Sequence, residues 1–348
     1  MAASQPRAPD FAAMNAPQHA VILMYHRIAS PGMDPWGMCV APEHFSEQLQ
    51  AIKQIATPMS LVDFVRAQGT GRLPERAVVV TFDDGYIDNL EQALPILRRH
   101  GIPATLFVTT CNIDSDREFW WDRLETLLLG PQQLPGHLAL ELPRGRVEWD
   151  LGTATDYGPE QRRGDRGTNA WQAVPGTRLA FYYKVWKTLW PLPSSLRDAA
   201  IREITEWAGA PGDSTMSRRT LSSDELRAMA REPLMTIGAH TVDHPPLPAH
   251  AESIQADQVR QSQQQLQDII GAPVTTFAYP HGENSPETIR VLREAGFECA
   301  VTVEQKVAGT NVDVMLLPRF GVKDVGGEAF LGQLRRWFGL PAETEATY

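Results

Sequence analysis

The sequence predicts an α/β fold: a closed or nearly closed barrel of parallel strands wrapped by helices and interrupted by one long insertion. Three observations carry that expectation. Short apolar, β-branched runs alternate with amphipathic helical stretches over both ends of the 348-residue chain, the signature of a parallel sheet with helices packed outside. About seven strand runs recur in this way, enough to close or nearly close a barrel. The alternation lapses between residues 112 and 220 and then resumes. A doubly wound open sheet is the alternative that the same alternation allows.

The elements follow in order. Residues 1–19 read as a disordered leader, after which "AVILMYH" is a buried strand ending at Tyr25 and His26. "APEHFSEQLQAIKQI" places Phe45, Leu49 and Ile52 at helical spacing. "AVVVTF" is a second strand, "NLEQALPILRRHG" a helix closed by Gly101, and "PATLFVTT" a third strand. The insertion, 112–220, holds "FWWDRLETLLL", the Gly- and Arg-rich stretch around "GPEQRRGDRGTN", and "FYYKVWKTLWPL". It reads as mostly helical with a flexible loop. Beyond it, "SSDELRAMA", "IQADQVRQSQQQLQDIIG", "PETIRVLREAG" and "GEAFLGQLRRWFG" are helices. "LMTIGAHT", "TTFAYP", "ECAVTVE" and "VMLLPRF" are strands, and residues 341–348 are a tail.

Composition narrows the function classes. A formal net charge of -10 argues against a nucleic-acid partner and against an anionic membrane surface. No apolar run has the length of a membrane-spanning helix, and none near the start has that of a secretory signal. Cys39, Cys111 and Cys299 are odd in number and widely spaced, which favours a reducing cytoplasm over a disulfide framework.

In parallel α/β folds, chemistry gathers at the C-terminal ends of the strands. Here those ends carry Tyr25-His26, Asp83-Asp84, His240 with His244, Tyr279-Pro280-His281, and Arg319. Two adjacent carboxylates beside a core are costly unless something compensates them. A simple Asp-Gly turn is the competing reading. Yet four of the nine histidines fall at the same ends. His240 and His244 are four apart, so two imidazoles can reach one metal from a tight loop. Thr241 and Pro245-Pro246 exclude the helical HExxH arrangement. With a carboxylate from another strand end, the pair makes a facial triad of two His and one acid that leaves positions open for water and substrate.

"TFDDGY", "HTVDH" and "FAYPHG", in that order, resemble the first three motifs of the polysaccharide deacetylases, carbohydrate esterase family four. The resemblance covers roughly 20–110 and 220–340. "LMYHRI" and "LPRF" are similar to the poly-N-acetylglucosamine deacetylase branch and to deacetylases of bacterial surface-glycan pathways. It implies an incomplete (β/α)7 barrel and metal-dependent hydrolysis of an N-acetyl group on an amino sugar or glycan. It implies one divalent cation, zinc the expected ion, on Asp84, His240 and His244. Asp83 is then the general base, and the amide of His281, after Pro280, faces the oxyanion.

Two departures shape the remaining expectations. Ala278 stands where the family has an Arg that orients the base, so Arg319 is the candidate for that fork. No late LxH supplies a general acid, so His26 takes that place, with the His281 side chain as second candidate. Trp120, Trp121 and Asp122 can be read as a sugar-stacking wall or as core, and core is the expectation. Two other functions use the same residues: an amidohydrolase for a small non-sugar amide, and a catalytically silent glycan-binding protein.

Overall fold

The computed structural model describes residues 19–209 and 218–341; apart from His19 and Pro341, the leader and tail read from the sequence lie outside them. Strand β1 (His19–Tyr25) is apolar and mostly buried, as a parallel strand covered on both faces must be. The short pair β2 (Arg27–Ile28) and β3 (Cys39–Val40) leads into α1 (Pro42–Ile55), which turns Phe45, Leu49 and Ile52 to the core. β4 (Thr57–Met59) and α2 (Leu61–Thr70) precede β5 (Ala77–Phe82), buried at every residue. A π-helical turn, Asn89–Ala93, opens α3 (Leu94–His100), which ends at Gly101 with φ 66°, a conformation that favours glycine. β6 (Ala104–Val108) completes the first half.

The insertion has a core of its own. α4 (Trp120–Leu129), the hairpin β7 (His137–Leu142) and β8 (Gly145–Asp150), α5 (Pro159–Asp165), α6 (Arg178–Leu189) and α7 (Ser194–Ala208) pack around Leu124, Leu128, Leu138, Leu179, Tyr182 and Ile204. Two expectations change here. The hairpin makes the insertion less purely helical than its sequence indicates. The "GPEQRRGDRGTN" stretch is not a flexible loop, because it contains α5. Arg162 from that helix donates to the carbonyls of Tyr157, Leu129 and Gly130, and so caps the end of α4.

The chain returns to the barrel through α8 (Ser223–Ala230), whose start is a capping box between Ser222 and Glu225. β9 (Met235–Ala239), α9 (Glu252–Ile270), β10 (Thr276–Ala278), α10 (Pro286–Glu294) and β11 (Cys299–Val301) continue the alternation. The sheet runs β11–β10–β9–β6–β5–β1, every neighbour parallel. β12 (Ala308–Gly309) pairs antiparallel with the start of β1.

Residues 317–321 close the ring. Leu317 bridges Val301 on one side, while Phe320 and Gly321 (β13) pair with Leu23 and Met24 of β1 on the other. The strand expected over "VMLLPRF" is thus a 3₁₀ turn, Val314–Leu316, followed by this short stave. Pro318 has no N–H to give a ladder, which keeps the stave short. The closed barrel with one abbreviated stave matches the incomplete seven-strand form that the resemblance implies, and the open-sheet alternative falls. Ala20, Ile22, Val79, Phe107, Ala278 and Val301 fill the interior, and α11 (Gly327–Trp337) packs outside on α1. Among the described residues, no helix is long and apolar enough to cross a membrane.

Candidate metal centre and active site

β5 and β9 deliver the two halves of the site. β5 ends directly in Asp83 and Asp84, and β9 directly precedes His240. Past the strand ends the backbone leaves ordinary conformations: φ is positive at Asp84 (75°), Gly85 (85°), Thr241 (67°), His244 (53°) and His281 (57°). A left-handed non-glycine residue costs of order 1–3 kcal/mol, and such residues cluster where function fixes a side chain. Gly85 is needed in the β5 turn, since a side chain there would be strained and would meet Val108 at 3.1 Å.

Asp84 and the two histidines converge. The Nε2 atoms of His240 and His244 lie 3.0 Å apart, and the Asp84 Oδ1 is 3.6 and 3.7 Å from them. Adjacent ligand atoms around one tetrahedral ion at ~2.1 Å stand about 3.4 Å apart. The protein offers these atoms nothing else: Asp84 Oδ1 is buried with no hydrogen-bond donor among the described residues. Burial, then the neighbouring Asp83, pushes the Asp84 carboxyl well above its ordinary range, so its charged form requires a cation. His240 Nδ1 donates to the Ala278 carbonyl at 2.7 Å, which leaves Nε2 as the lone-pair nitrogen. Burial holds both imidazoles below their usual pKa, the neutral state that coordination needs. The donor set fits a divalent cation.

The loop carrying the two histidines is braced from three sides. The His244 amide donates to Thr241 Oγ1, the Val242 and Asp243 amides donate to the Gln258 side chain on α9, and Arg197 on α7 donates to the Asp243 carbonyl. The motif reading missed Gln258 and Arg197. Their signal was a Gln at a buried spacing on a polar helix and an Arg in a helical insertion, neither of which is diagnostic.

Asp83 sits apart from the three candidate ligands in an environment of opposite character. Arg319 grips it with a bidentate fork, Nη1 to Oδ1 and Nη2 to Oδ2, both at 2.7 Å. Nη1 also donates to Thr81 Oγ1 and Nε to the Thr302 carbonyl, and Arg319 is wholly buried. Burial acts to raise the Asp83 pKa, but the Arg319 charge and hydrogen bonds outweigh it and hold the carboxyl below its ordinary value. The short closing stave is what carries Arg319 to this position.

A cavity of about 160 Å³ opens over these groups, bordered by His26, Trp36, Trp121, Trp186, His281 and Met38. His26 is half-buried, and desolvation drives its pKa down to about 4 despite the nearby Asp83. The His281 ring meets His244 edge-on at 4.4 Å, and burial pushes its pKa down to about 3. Trp121 is core, as expected, stacked on Phe119 at 4.4 Å with Nε1 donating to the Tyr86 hydroxyl. It also forms part of the cavity wall, 5.0 Å from His244. Asp122 is buried and accepts from the Tyr86 hydroxyl at 2.7 Å, so it faces no sugar. Thus the structure brings Asp83, Asp84, His240, His244, Arg319, His26 and His281 to one end of the barrel. The aromatic wall from Trp36 and Trp186 was not foreseen, because neither lies near a motif.

The polysaccharide deacetylase family model matches residues 70–137 and 198–300. Both matched segments carry site residues: Asp83 and Asp84 in the first, His240, His244 and His281 in the second. His26 and Arg319 lie outside both. The poly-β-1,6-N-acetyl-D-glucosamine N-deacetylase of Staphylococcus epidermidis is 34% identical over 77 residues, 22% of this chain and 27% of that enzyme. That of Staphylococcus aureus strain MSSA476 is 28% identical over 110 residues, 28% of this chain and 38% of that enzyme. The matched stretches therefore span well under half the length of these relatives. The Streptococcus pyogenes deacetylase PplD aligns with a TM-score of 0.53 at 19% identity, covering 92% of this chain and 99% of that one. IcaB from Ammonifex degensii aligns at 0.56 and 18% identity, covering 92% and 97%. These two show a shared fold. With the family model falling on both halves of the barrel and on the residues that make the site, the chain belongs to the polysaccharide deacetylase family.

Proposed function

We propose that this protein is a metal-dependent hydrolase that removes the N-acetyl group from an amino sugar, in the assembly of a bacterial surface glycan. The observation that carries the reading is the division of labour between adjacent acids. Asp84 has a bare oxygen aimed at two neutral imidazoles, and Asp83 is kept ionised one residue away by Arg319. The names of the staphylococcal relatives, N-deacetylases of poly-N-acetylglucosamine, support the sugar and the bond.

Asp84, His240 and His244 would hold the cation, zinc being the ion that two imidazoles and a carboxylate suit best. A cation there would lower the pKa of water toward ~7 and polarise the acetamido carbonyl. Asp83 accepts the proton of the attacking water as its oxygen bonds to the carbonyl carbon, and Arg319 keeps the carboxylate oriented for that transfer. The main-chain N–H of His281 is the candidate donor to the oxyanion that develops. The C–N bond then breaks, and the departing amine needs a proton. His26 is neutral at rest, so it does not bring one. It receives the proton that Asp83 has taken and hands it to the amine. Trp36, Trp121 and Trp186 border the cavity and form the aromatic wall beside which a pyranose would lie.

The test is a panel of N-acetyl amino sugars and oligomers against cyclic imides and ureides, scored by acetate release and by ring opening. Acetate release confined to the sugars is the expected result. Turnover of the small amides alone would replace the sugar by a non-sugar substrate, and turnover of neither would leave a glycan-binding protein.

A further inference from the structure

A second and larger cavity, of about 420 Å³, lies beside the catalytic one and shares Trp121 with it. Its walls come from the segment between Cys111 and Arg123, from α7, and from Asp243 in the histidine loop. No step of the proposed reaction uses it. On its wall sits Arg197, 2% exposed. Nη2 donates to the Asp243 carbonyl at 3.0 Å, and the guanidinium lies over the Trp120 ring, 5.1 Å from its centroid. Nε and Nη1 are buried and have no acceptor among the described residues.

A guanidinium keeps its charge in a protein, and buried donors left without acceptors are costly. The cavity wall therefore carries a cation with unused hydrogen-bonding capacity. Arg117 and Arg202 border the same cavity and are exposed. The acids nearby do not satisfy Arg197. Asp116 and Asp198 are exposed, and the Asp243 carboxylate accepts from the Gln258 amide. Asp243 and Asp198 attract the guanidinium at range, but neither carboxylate accepts a hydrogen bond from it among the described residues.

We propose that this cavity is an anion subsite, taking a phosphate or carboxylate group that the substrate carries next to its acetylated ring. Arg197 is the buried partner, its Nε and Nη1 donors open to either oxyanion, and Arg117 and Arg202 are the charges that draw it in. The proposal rests on the deacetylase reading for the identity of the ring, and Trp121 separates the anion from the catalytic cavity. The oxyanion has two sources, a sugar phosphate or carrier phosphate, and a neighbouring sugar acid.

The experiment is calorimetric binding to Asp83→Asn protein, in which turnover is slowed about 10²–10⁴-fold. N-acetylglucosamine 1-phosphate and a disaccharide of N-acetylglucosamine with glucuronate are compared with neutral N,N′-diacetylchitobiose. One anionic ligand should bind about tenfold tighter than the neutral one at low salt, and which one identifies the source. The preference should shrink with added salt, disappear in Arg197→Gln and survive in part in Arg197→Lys. Because Arg197 also braces the histidine loop, Arg202→Gln provides the second variant: it should weaken the anionic ligand about two- to threefold and leave the neutral one unchanged. Equal affinity for all three ligands, or a preference that persists undiminished in both Arg197→Gln and Arg202→Gln, overturns the subsite. An intact anion preference in a protein that releases no acetate from any sugar would remove the deacetylase reading alone.

Discussion

Asp83 and Asp84 are neighbours in sequence with the same side chain, yet their surroundings push them in opposite directions. Arg319 draws the first below the ordinary carboxylate range, and burial beside that charge lifts the second well above it. Each is thereby suited to one task, proton acceptor or ligand. Asp83→Asn should keep a stoichiometric cation and lose about 10²–10⁴-fold in turnover; full activity would return Asp83 to a turn residue. Removing the fork is a stability experiment as well. Arg319→Met leaves a buried carboxylate unpaired and should cost about 3–5 kcal/mol in denaturant unfolding. The double variant with Asp83→Asn should recover much of that loss, whereas simple additivity would mean that the pair is not coupled. His26 acts at the later step, when the amine departs. If it passes the proton to the amine, His26→Ala should reduce turnover of an N-acetyl sugar far more than that of an activated ester, whose leaving group needs no proton. Equal losses on the two substrates would make His26 structural. Most of these residues were legible in the sequence because each ends a strand run, and strand ends in parallel folds carry chemistry. The neutral state of His26 was not legible, since it follows from desolvation by residues distant in sequence.

Among the elements, most strands and helices of the barrel were readable from hydrophobic periodicity alone, with ends shifted by one to three residues, whereas β4 and α2 went unread. Where the reading failed, local chemistry had the last word. Pro318 shortened the closing stave, and α5 was hidden in a run of Gly, Arg and Asp with no apolar period. The hairpin at β7 and β8 was hidden because its exposed residues give only a weak alternation. The histidine loop is fixed by Gln258 and Arg197, contacts between elements that no single stretch encodes. The junction of insertion and barrel also holds a titrating group that can be checked. Burial pushes Asp122 up to about 7 against the pull of Arg218 and Arg27, while the Tyr86 hydroxyl donates to it. Its folded pKa stands above the unfolded value near 4, so its contribution to stability is present in acid and is lost as pH rises through 7. Relative to Asp122→Asn, the wild type should therefore lose up to about 3 kcal/mol of unfolding free energy between about pH 5 and pH 8. A difference that stays flat across this range would contradict the shift.

At the scale of the whole molecule, a barrel fold shared with solved deacetylases is joined to an insertion with its own apolar core, and the two meet at the site. The gap between the matched family segments, residues 138–197, falls inside that insertion. The barrel supplies the acids and imidazoles, while Trp186 and Arg197 reach in from α6 and α7. What the molecule does with this arrangement depends on whether Asp84, His240 and His244 hold a cation that the reaction needs. The direct measurement is a titration of zinc into chelator-stripped protein, with acetate release from N-acetylglucosamine oligomers followed at each addition. Activity should rise from near zero to a plateau at about one ion per chain, and Asp84→Asn and His240→Ala should show neither tight uptake nor activity. Undiminished acetate release by the stripped protein, or full activity in both variants, would contradict a metal-dependent deacetylase.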